Sequence, residues 1–376
     1  MKKIIVIGAG ILGASTAYHL AKMGAEVHII DRQDKGQATE AAAGIVCPWL
    51  VGGQSEAWYT MANAGAGYFP TLIEELNREG EQEVGYQRAG ALIIHHEESE
   101  IEKLEERARL REGYAREIGE ISRLTEQISS TLFPLLSDGY HSVFVQGAAI
   151  VEGRLLRNSL LRIAERNGAV RISGDAELLF NGSQVTGTKV GSNCYMADMV
   201  IVCAGAWAEA IFKPMGLTFN VNFEKAQTIH LKLPGAKGME KWPAVIDPST
   251  QYIVPLDGGR VVVGSTTEND SDRYDARLTA RGVHKNLTDG LEIAPGLADG
   301  IFLGGKVGFR PFTAGGVPVA GNIPGWKGVI AANGLGATGL TIGPFLGLQL
   351  AKLALDMELD INLSEYDIRN AIAEEK

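Results

Sequence analysis

A chain of 376 residues, 45% apolar and 21% charged, can bury a large core, has room for about two domains, and has the composition of a globular protein. A net charge of −10 with no basic tract argues against nucleic acid or an anionic membrane as a partner. Cys47, Cys194 and Cys203 have no metal-ligand spacing and form no even disulfide set, so a reducing cytoplasm fits.

Lys3 to Ile7 is a short apolar run and reads as a strand. Gly8-Ala9-Gly10-Ile11-Leu12-Gly13 follows, then a helical pattern from Ala14 to Met23. A second apolar run, Val27 to Ile30, ends on Asp31. Strand, glycine turn, helix, strand and acid is the order of a dinucleotide site. Gly8 permits a tight turn, Gly10 leaves the backbone open to a pyrophosphate, and Gly13 lets helix and strand pack closely. The helix N-terminus offers free N–H groups to the phosphates. Asp31 is placed to accept hydrogen bonds from ribose hydroxyls and would repel a 2′-phosphate, which argues against NADP. The same order also serves a tight turn with no ligand, and alone it does not separate NAD from FAD. The start, Met1-Lys2-Lys3, is not read as a signal peptide, because its apolar core would be the glycine fingerprint itself.

Arg32 to Gly44 is polar at first and then small, Ala41-Ala42-Ala43-Gly44. That composition suits either the approach of something flat and large or a closely packed helix start. Trp58 to Glu79 reads as a helix broken at Pro70, and Ala91 to Ile94 as a short strand. Glu97 to Arg116 is charged and helical, with Glu105 and Arg109, and Glu112 and Arg116, at i,i+4 spacing. It reads as a solvated face rather than a site. His95-His96 lacks companion metal ligands. Glu152 to Asn167 is an amphipathic helix ended by Gly168. Val170 to Ile172, Val185 to Val190 and Met199 to Val202 follow as strands. The last runs into Ala204-Gly205-Ala206-Trp207, a second turn suited to close approach of a cofactor.

From Phe219 the texture changes. Val221 to Phe223, Thr228 to Leu233, Tyr252 to Pro255 and Arg260 to Val263 are short β-type runs, with Asp257-Gly258-Gly259 as a hairpin turn. They predict an antiparallel sheet inserted into an α/β frame. Leu278 to Leu291 reads as a helix, and Val307 to Pro311 leads to a turn at Gly315-Gly316. Val329 to Ala332 is a last strand, feeding a glycine loop and a helix to about Leu355. Glycines, Asn333 and Pro344 in the uncharged stretch Val329 to Ala351 make it strand, loop and buried helix, not a membrane span.

With these pieces in order, the chain resembles the D-amino-acid oxidase superfamily of FAD-dependent oxidoreductases, and within it the glycine oxidase and D-amino-acid dehydrogenase branch. The resemblance covers nearly the whole chain. It rests on the fingerprint, Thr39 to Gly44, Gly90-Ala91-Leu92, Ala197 to Trp207, Tyr252 to Pro255, Gly264-Ser265-Thr266 with Glu268, Gly308-Phe309-Arg310-Pro311 and the last glycine loop. It implies an α/β (α+β) fold: a discontinuous FAD-binding Rossmann-type domain (1–85, 141–218 and 302–376) with an inserted antiparallel-sheet substrate domain (86–140 and 219–301).

By the same resemblance Ile11 and Leu12 line the pyrophosphate, and Asp31 with Arg32 holds the adenosine end. Thr39, Ala43, Gly44 and Ile45 pass near the flavin, and Ala176 meets the adenine region. Leu335, Gly336, Ala337, Thr338, Gly339, Leu340 and Thr341 face the isoalloxazine. Gly8, Gly10, Gly13, Ala38, Gly205 and Gly334 complete the expected cofactor set. Arg310 would bind the substrate carboxylate, with Tyr252 hydrogen-bonding to it, since a guanidinium matches a carboxylate bidentately. Taken alone, Arg310 between Phe309 and Pro311 reads equally well as functional or as half of an internal salt bridge.

The implied reaction is oxidation of a small amino acid (glycine, sarcosine or a small D-amino acid) by hydride transfer to flavin N5, giving a 2-oxo acid and an amine or ammonia. Non-covalent FAD carries the chemistry and no side chain is assigned as a catalyst. Oxygen or another acceptor takes the electrons. A D-amino-acid dehydrogenase, a 2-hydroxy-acid oxidase and an idle flavin-binding sensor stay open, as does homo-oligomerisation. The chain departs from many relatives at Ala337, where arginine is frequent, at Gly315, where aspartate is frequent, and at Lys225-Ala226-Gln227, which replaces Arg-Gly-Gln. Cys47 falls at the expected rim of the site.

Overall fold

The structure, a computed structural model, describes residues 1–235, 237–248, 251–269 and 274–373. Ile4, Ile5 and Val6 are wholly buried, as a central parallel strand with helices on both faces must be. Their strand, Lys3–Ile7, pairs in parallel with Met199–Val202 on one side and Glu26–Asp31 on the other. Val329–Asn333 and Val170–Ser173 extend this six-stranded sheet in parallel, and Val319–Asn322 closes one edge antiparallel.

A second sheet has eight strands in the order Ile301–Phe312, Asn222–Lys232, Arg260–Gly264, Tyr252–Leu256, Ala244–Ile246, Ala91–His95, His141–Val145 and Ile121–Leu124. It is antiparallel except where Ala244–Ile246 meets Ala91–His95 in parallel. Those two strands come from different segments of the chain, so no hairpin sets their direction. The expected hairpin at Asp257–Gly259 joins Tyr252–Leu256 to Arg260–Gly264. Sheet membership puts His141–Val145 and Ile301–Phe312 with the second unit. We therefore propose cuts near 145 and 312 in place of those expected near 140 and 302.

Three expected elements differ. The helix Glu56–Arg78 runs through Pro70 without a break. Pro70 is exposed, while Met61, Phe69, Leu72 and Leu76 on the opposite face are buried on both sides of it, and that packing outweighs one missing backbone bond. The two runs expected at 221–223 and 228–233 form one strand, Asn222–Lys232. Its interior Lys225 and Gln227 are buried, which hid the pattern. The charged helix Glu98–Glu112 stops at Gly113, so Arg116 has no helical partner in Glu112, whereas Arg109 does pair with Glu105 at 2.8 Å. The stretch from Val329 forms strand, loop and the buried helix Gly339–Ala354, and no described helix is long and apolar enough to cross a membrane.

Two helices fix the site. The fingerprint helix Ile11–Lys22 and the terminal helix Gly339–Ala354 cross closely because Gly343 and Gly347 face it. A Cβ at Gly347 would stand 2.6 Å from the Cβ of Ser15, and one at Gly343 would stand 2.9 Å from Ile11 Cγ2. Ser15 Oγ donates to Pro344 O at 2.7 Å. Gly347→Val should therefore lower the unfolding free energy by about 1–3 kcal/mol through overpacking. Urea denaturation of the cofactor-free protein measures this, and an unaltered midpoint would contradict the crossing.

Candidate active site

The parallel strands end at one crevice, the position where open α/β sheets bind ligands. Ile7, Gly8, Ile30, Asp31, Cys203, Ala204, Ala332 and Asn333, from four strand ends, all line a cavity of about 640 Å³. The eight-stranded sheet forms its far wall through Ile93, Ile246, Tyr252 and Thr228. These residues lie on one register row: Ile93 faces Ile246, Ile246 faces Tyr252, and Tyr252 and Thr228 both face Gly264.

The sequence-derived residues converge on this cavity. Gly8, Gly10, Ile11, Leu12, Asp31, Arg32, Ala38, Thr39, Ala43, Gly44, Ile45, Ala176, Gly205, Leu335, Gly336, Ala337, Thr338, Gly339, Leu340, Thr341, Tyr252 and Arg310 line it. Gly13 and Gly334 do not. A Cβ at Gly13 would meet Gly8 O at 1.8 Å, and one at Gly334, where φ is +77°, would meet Thr313 Oγ1 at 2.1 Å. Both glycines serve packing behind the wall, and at Gly334 left-handed backbone as well.

Gly10 is the opposite case. A Cβ there would touch only Thr39 Oγ1, at 3.4 Å, so the protein itself leaves that space open toward the cavity. Helix Ile11–Lys22 begins beside it, and first-turn N–H groups of a helix lack intrahelical acceptors. The Ile11 N–H donates to Thr39 Oγ1 at 2.9 Å.

Asp31 is held by three donors: Ala9 N at 2.6 Å, Gln33 N at 2.6 Å and Gln37 Nε2 at 3.0 Å. Its oxygens keep further lone pairs for ribose hydroxyls. Arg32 lies beside it but is engaged, with Asp34 at 2.8 Å and Asp175 at 3.2 Å. The second turn and the last loop are tied together, since Asn333 Nδ2 donates to Gly205 O at 2.9 Å. An open glycine over a helix N-terminus, a fixed carboxylate one strand away and a long cavity fit FAD. Asp31, Gly10 to Leu12 and the Leu335 to Thr341 turn would hold it.

Arg310 Nη1 donates to Glu224 Oε1 at 2.5 Å, and its Nη2 donates to Ser265 Oγ at 2.6 Å. Glu224 and Arg310 are direct cross-strand partners, and both side chains are mostly buried. Sequence reading gave Glu224 no role and named Ser265 only within a motif, because strand register and the reach of a guanidinium to a distant turn are invisible along the chain. It also set aside the charged helix. Arg107 from that helix lines the cavity, and Arg111 donates to the carbonyls of Trp49 and Val51 at the rim. Cys47 lines the cavity too, with its thiol pushed up to about 12 by burial, so it is a neutral apolar wall rather than a nucleophile.

Two substitutions separate packing from binding. Gly10→Val should leave urea stability near wild type and abolish saturable FAD uptake by apoprotein, read by quenching of flavin fluorescence. Asp31→Ala should weaken FAD by about 1–3 kcal/mol, the loss of hydrogen bonds to a charged acceptor. If both variants took up FAD like wild type, the adenosine end would lie elsewhere.

Comparison with known proteins agrees with this geometry. Residues 3–353 match the family model described as DAO, FAD dependent oxidoreductase. The uncharacterized oxidoreductase YurR of Bacillus subtilis is 52% identical over 373 residues, 99% of this chain and 100% of that protein. Glycine oxidase of Pseudomonas aeruginosa is 26% identical, covering 97% of this chain and 98% of its own. Among solved structures, iminodiacetate oxidase from Chelativorans sp. BNC1 is similar with a TM-score of 0.94 at 42% identity, covering 97% of this chain and 98% of its own. With nearly its whole length matched, the chain belongs to the DAO family of FAD-dependent oxidoreductases.

Proposed function

We propose that the protein oxidises the C–N bond of a small amino acid carrying a free α-carboxylate, with glycine, sarcosine and related N-substituted glycines as the substrate class. The carrying observation is Arg310, which lines the same cavity as Tyr252 and the Leu335 to Thr341 turn. The names of the relatives support the class, since glycine and iminodiacetate share an amino-acetate unit. FAD, non-covalently bound, supplies the two-electron acceptor.

The remaining tasks fall to this chain. The Arg310 guanidinium has five N–H donors, of which Glu224 and Ser265 engage two, so donors stay free for a carboxylate. Tyr252 offers its hydroxyl from the neighbouring wall. Ile93, Ile246, Ala226 and Cys47 make the surroundings apolar, which disfavours an ammonium and favours the neutral amine that oxidation requires. The carboxylates that line the cavity, Asp31, Asp34 and Asp175, all lie at the expected adenosine end. Among the described residues no aspartate, glutamate or histidine lines the substrate end. Holding the α-carbon in place is then the chief catalytic contribution of the protein.

The yellow protein, titrated anaerobically with glycine, sarcosine and small D-amino acids, should bleach with at least one of them. No bleaching by any amino acid would overturn the reading, and the rate of reoxidation in air distinguishes oxygen from another acceptor. Acid precipitation should leave a colourless pellet. Arg310→Met should cut kcat/KM for the amino acid by roughly a hundredfold or more, because one partner of a buried pair is lost. The methyl ester should lose far less. Tyr252→Phe should cost less than Arg310→Met, since it deletes one hydrogen bond and keeps the packing. An unchanged acid-to-ester ratio in Arg310→Met would mean that Arg310 never meets the carboxylate.

A further inference from the structure

Two arginines line the cavity away from the adenosine end, and their electrostatic status differs. Arg310 is matched by Glu224 at 2.5 Å, so the pair is neutral as a unit. Arg107, on helix Glu98–Glu112, lines the same cavity, and among the described residues no carboxylate lies within ion-pair distance of it. Its described hydrogen bond runs from Nη1 to Leu50 O at 2.9 Å, which leaves most of its five donors uncommitted. The head group lies over Gly52 at the rim, where a Cβ would stand 2.9 Å from Nη1 and 3.2 Å from Nη2.

A purely structural role for Arg107 would duplicate existing clamps. Arg111, one turn further along the helix, is buried and already donates to Trp49 O and Val51 O. It also stacks on the Tyr59 ring at 3.6 Å, and the Tyr59 hydroxyl donates to Val51 O at 2.5 Å. The rim loop is held without Arg107.

Sheet order sets the two cations on opposite flanks of Tyr252. Arg310 lies on the edge strand Ile301–Phe312, and the helix carrying Arg107 packs on Ala91–His95 and the strands beyond it. We propose that Arg107 binds a second acidic group of the substrate, so that the preferred substrates are N-substituted glycines with a carboxylate on the N-substituent. This rests on the amino-acid reading of the site. Such a molecule carries one more negative charge than glycine, and Arg107, which among the described residues has no carboxylate at ion-pair distance, supplies positive charge to meet it. Its two carboxylates point away from a central amine, toward Arg310 on one side and Arg107 on the other.

The test uses FAD-loaded wild type, Arg107→Gln and Arg107→Lys. Binding of thiodiacetate and of (methylthio)acetate, sulfur analogues that lack the oxidisable amine, is read from perturbation of the flavin absorption. Turnover is compared for iminodiacetate and sarcosine. In Arg107→Gln the binding preference for thiodiacetate over (methylthio)acetate should fall roughly tenfold or more, with Arg107→Lys between Gln and wild type. The kcat/KM preference for iminodiacetate over sarcosine should fall by a similar factor, mainly through KM. Equal losses for both analogues would make Arg107 a loop clamp, and no loss for either would remove it from the site. If neither amine is oxidised, the oxidation reading fails and the substrate preference falls with it, and analogue binding that still depends on Arg107 would leave only its contact with an acidic group.

Discussion

The site depends on how closely backbone can approach backbone at the end of the first strand. Gly8, with φ of +98°, sits where a Cβ would be 2.4 Å from Cys203 O, and Gly13 sits where a Cβ would be 1.8 Å from Gly8 O. These contacts press the fingerprint helix onto the strand ends and leave Gly10 facing open space. The terminal helix repeats the device with Gly343 and Gly347 against Ile11 and Ser15. Side chains at those positions would part the helices and move both N-termini away from the ligand. The small residues thus create the geometry in which first-turn N–H groups and aligned peptide dipoles can act on a dinucleotide.

The second sheet supplies a wall that is apolar but interrupted by a few fixed polar groups. Burying a guanidinium is costly unless its partners are in place, and Glu224 and Ser265 are held ready by strand pairing and by the turn after Arg260–Gly264. Arg310 is therefore positioned before substrate arrives, with less side-chain entropy left to lose on binding. Nearby, Gln227 and Thr266 both donate to Glu268, at 2.5 Å and 2.8 Å, and so keep a further set of buried polar atoms satisfied. The wall can then stay dry enough to favour a neutral amine.

The rim is organised from a helix that looks, by composition, like plain solvated surface. One side of Glu98–Glu112 does form exposed ion pairs, such as Glu105 with Arg109 and Arg123. The other side sends Arg107 and Arg111 to the carbonyls of Leu50, Trp49 and Val51. A charged helix can serve both purposes because arginine is long enough to reach across a neighbouring loop while its stem packs.

The sequence by itself determined the parts whose physics is local. The fingerprint, the acid closing the second strand, the last glycine loop and the period of each strand are written in consecutive residues, so the α/β frame and many of the cavity-lining positions were legible. Nearly every residue expected at the cofactor does line the cavity, and the two that do not, Gly13 and Gly334, pack directly behind it. Only tertiary structure decided the pairings between distant segments. Glu224 meets Arg310 through strand register, Ser265 reaches the same guanidinium from a turn, and Arg107 arrives from a helix far along the chain. Burial also decided elements that local propensity misjudged. Helix Glu56–Arg78 continues through Pro70 because its apolar face is held on both sides, and strand Asn222–Lys232 tolerates Lys225 and Gln227 because Asp275 and Glu268, which lie outside the named strands, meet their polar atoms. Local patterns set which elements form, whereas a charge buried by the fold takes its meaning from the partner that the fold brings to it.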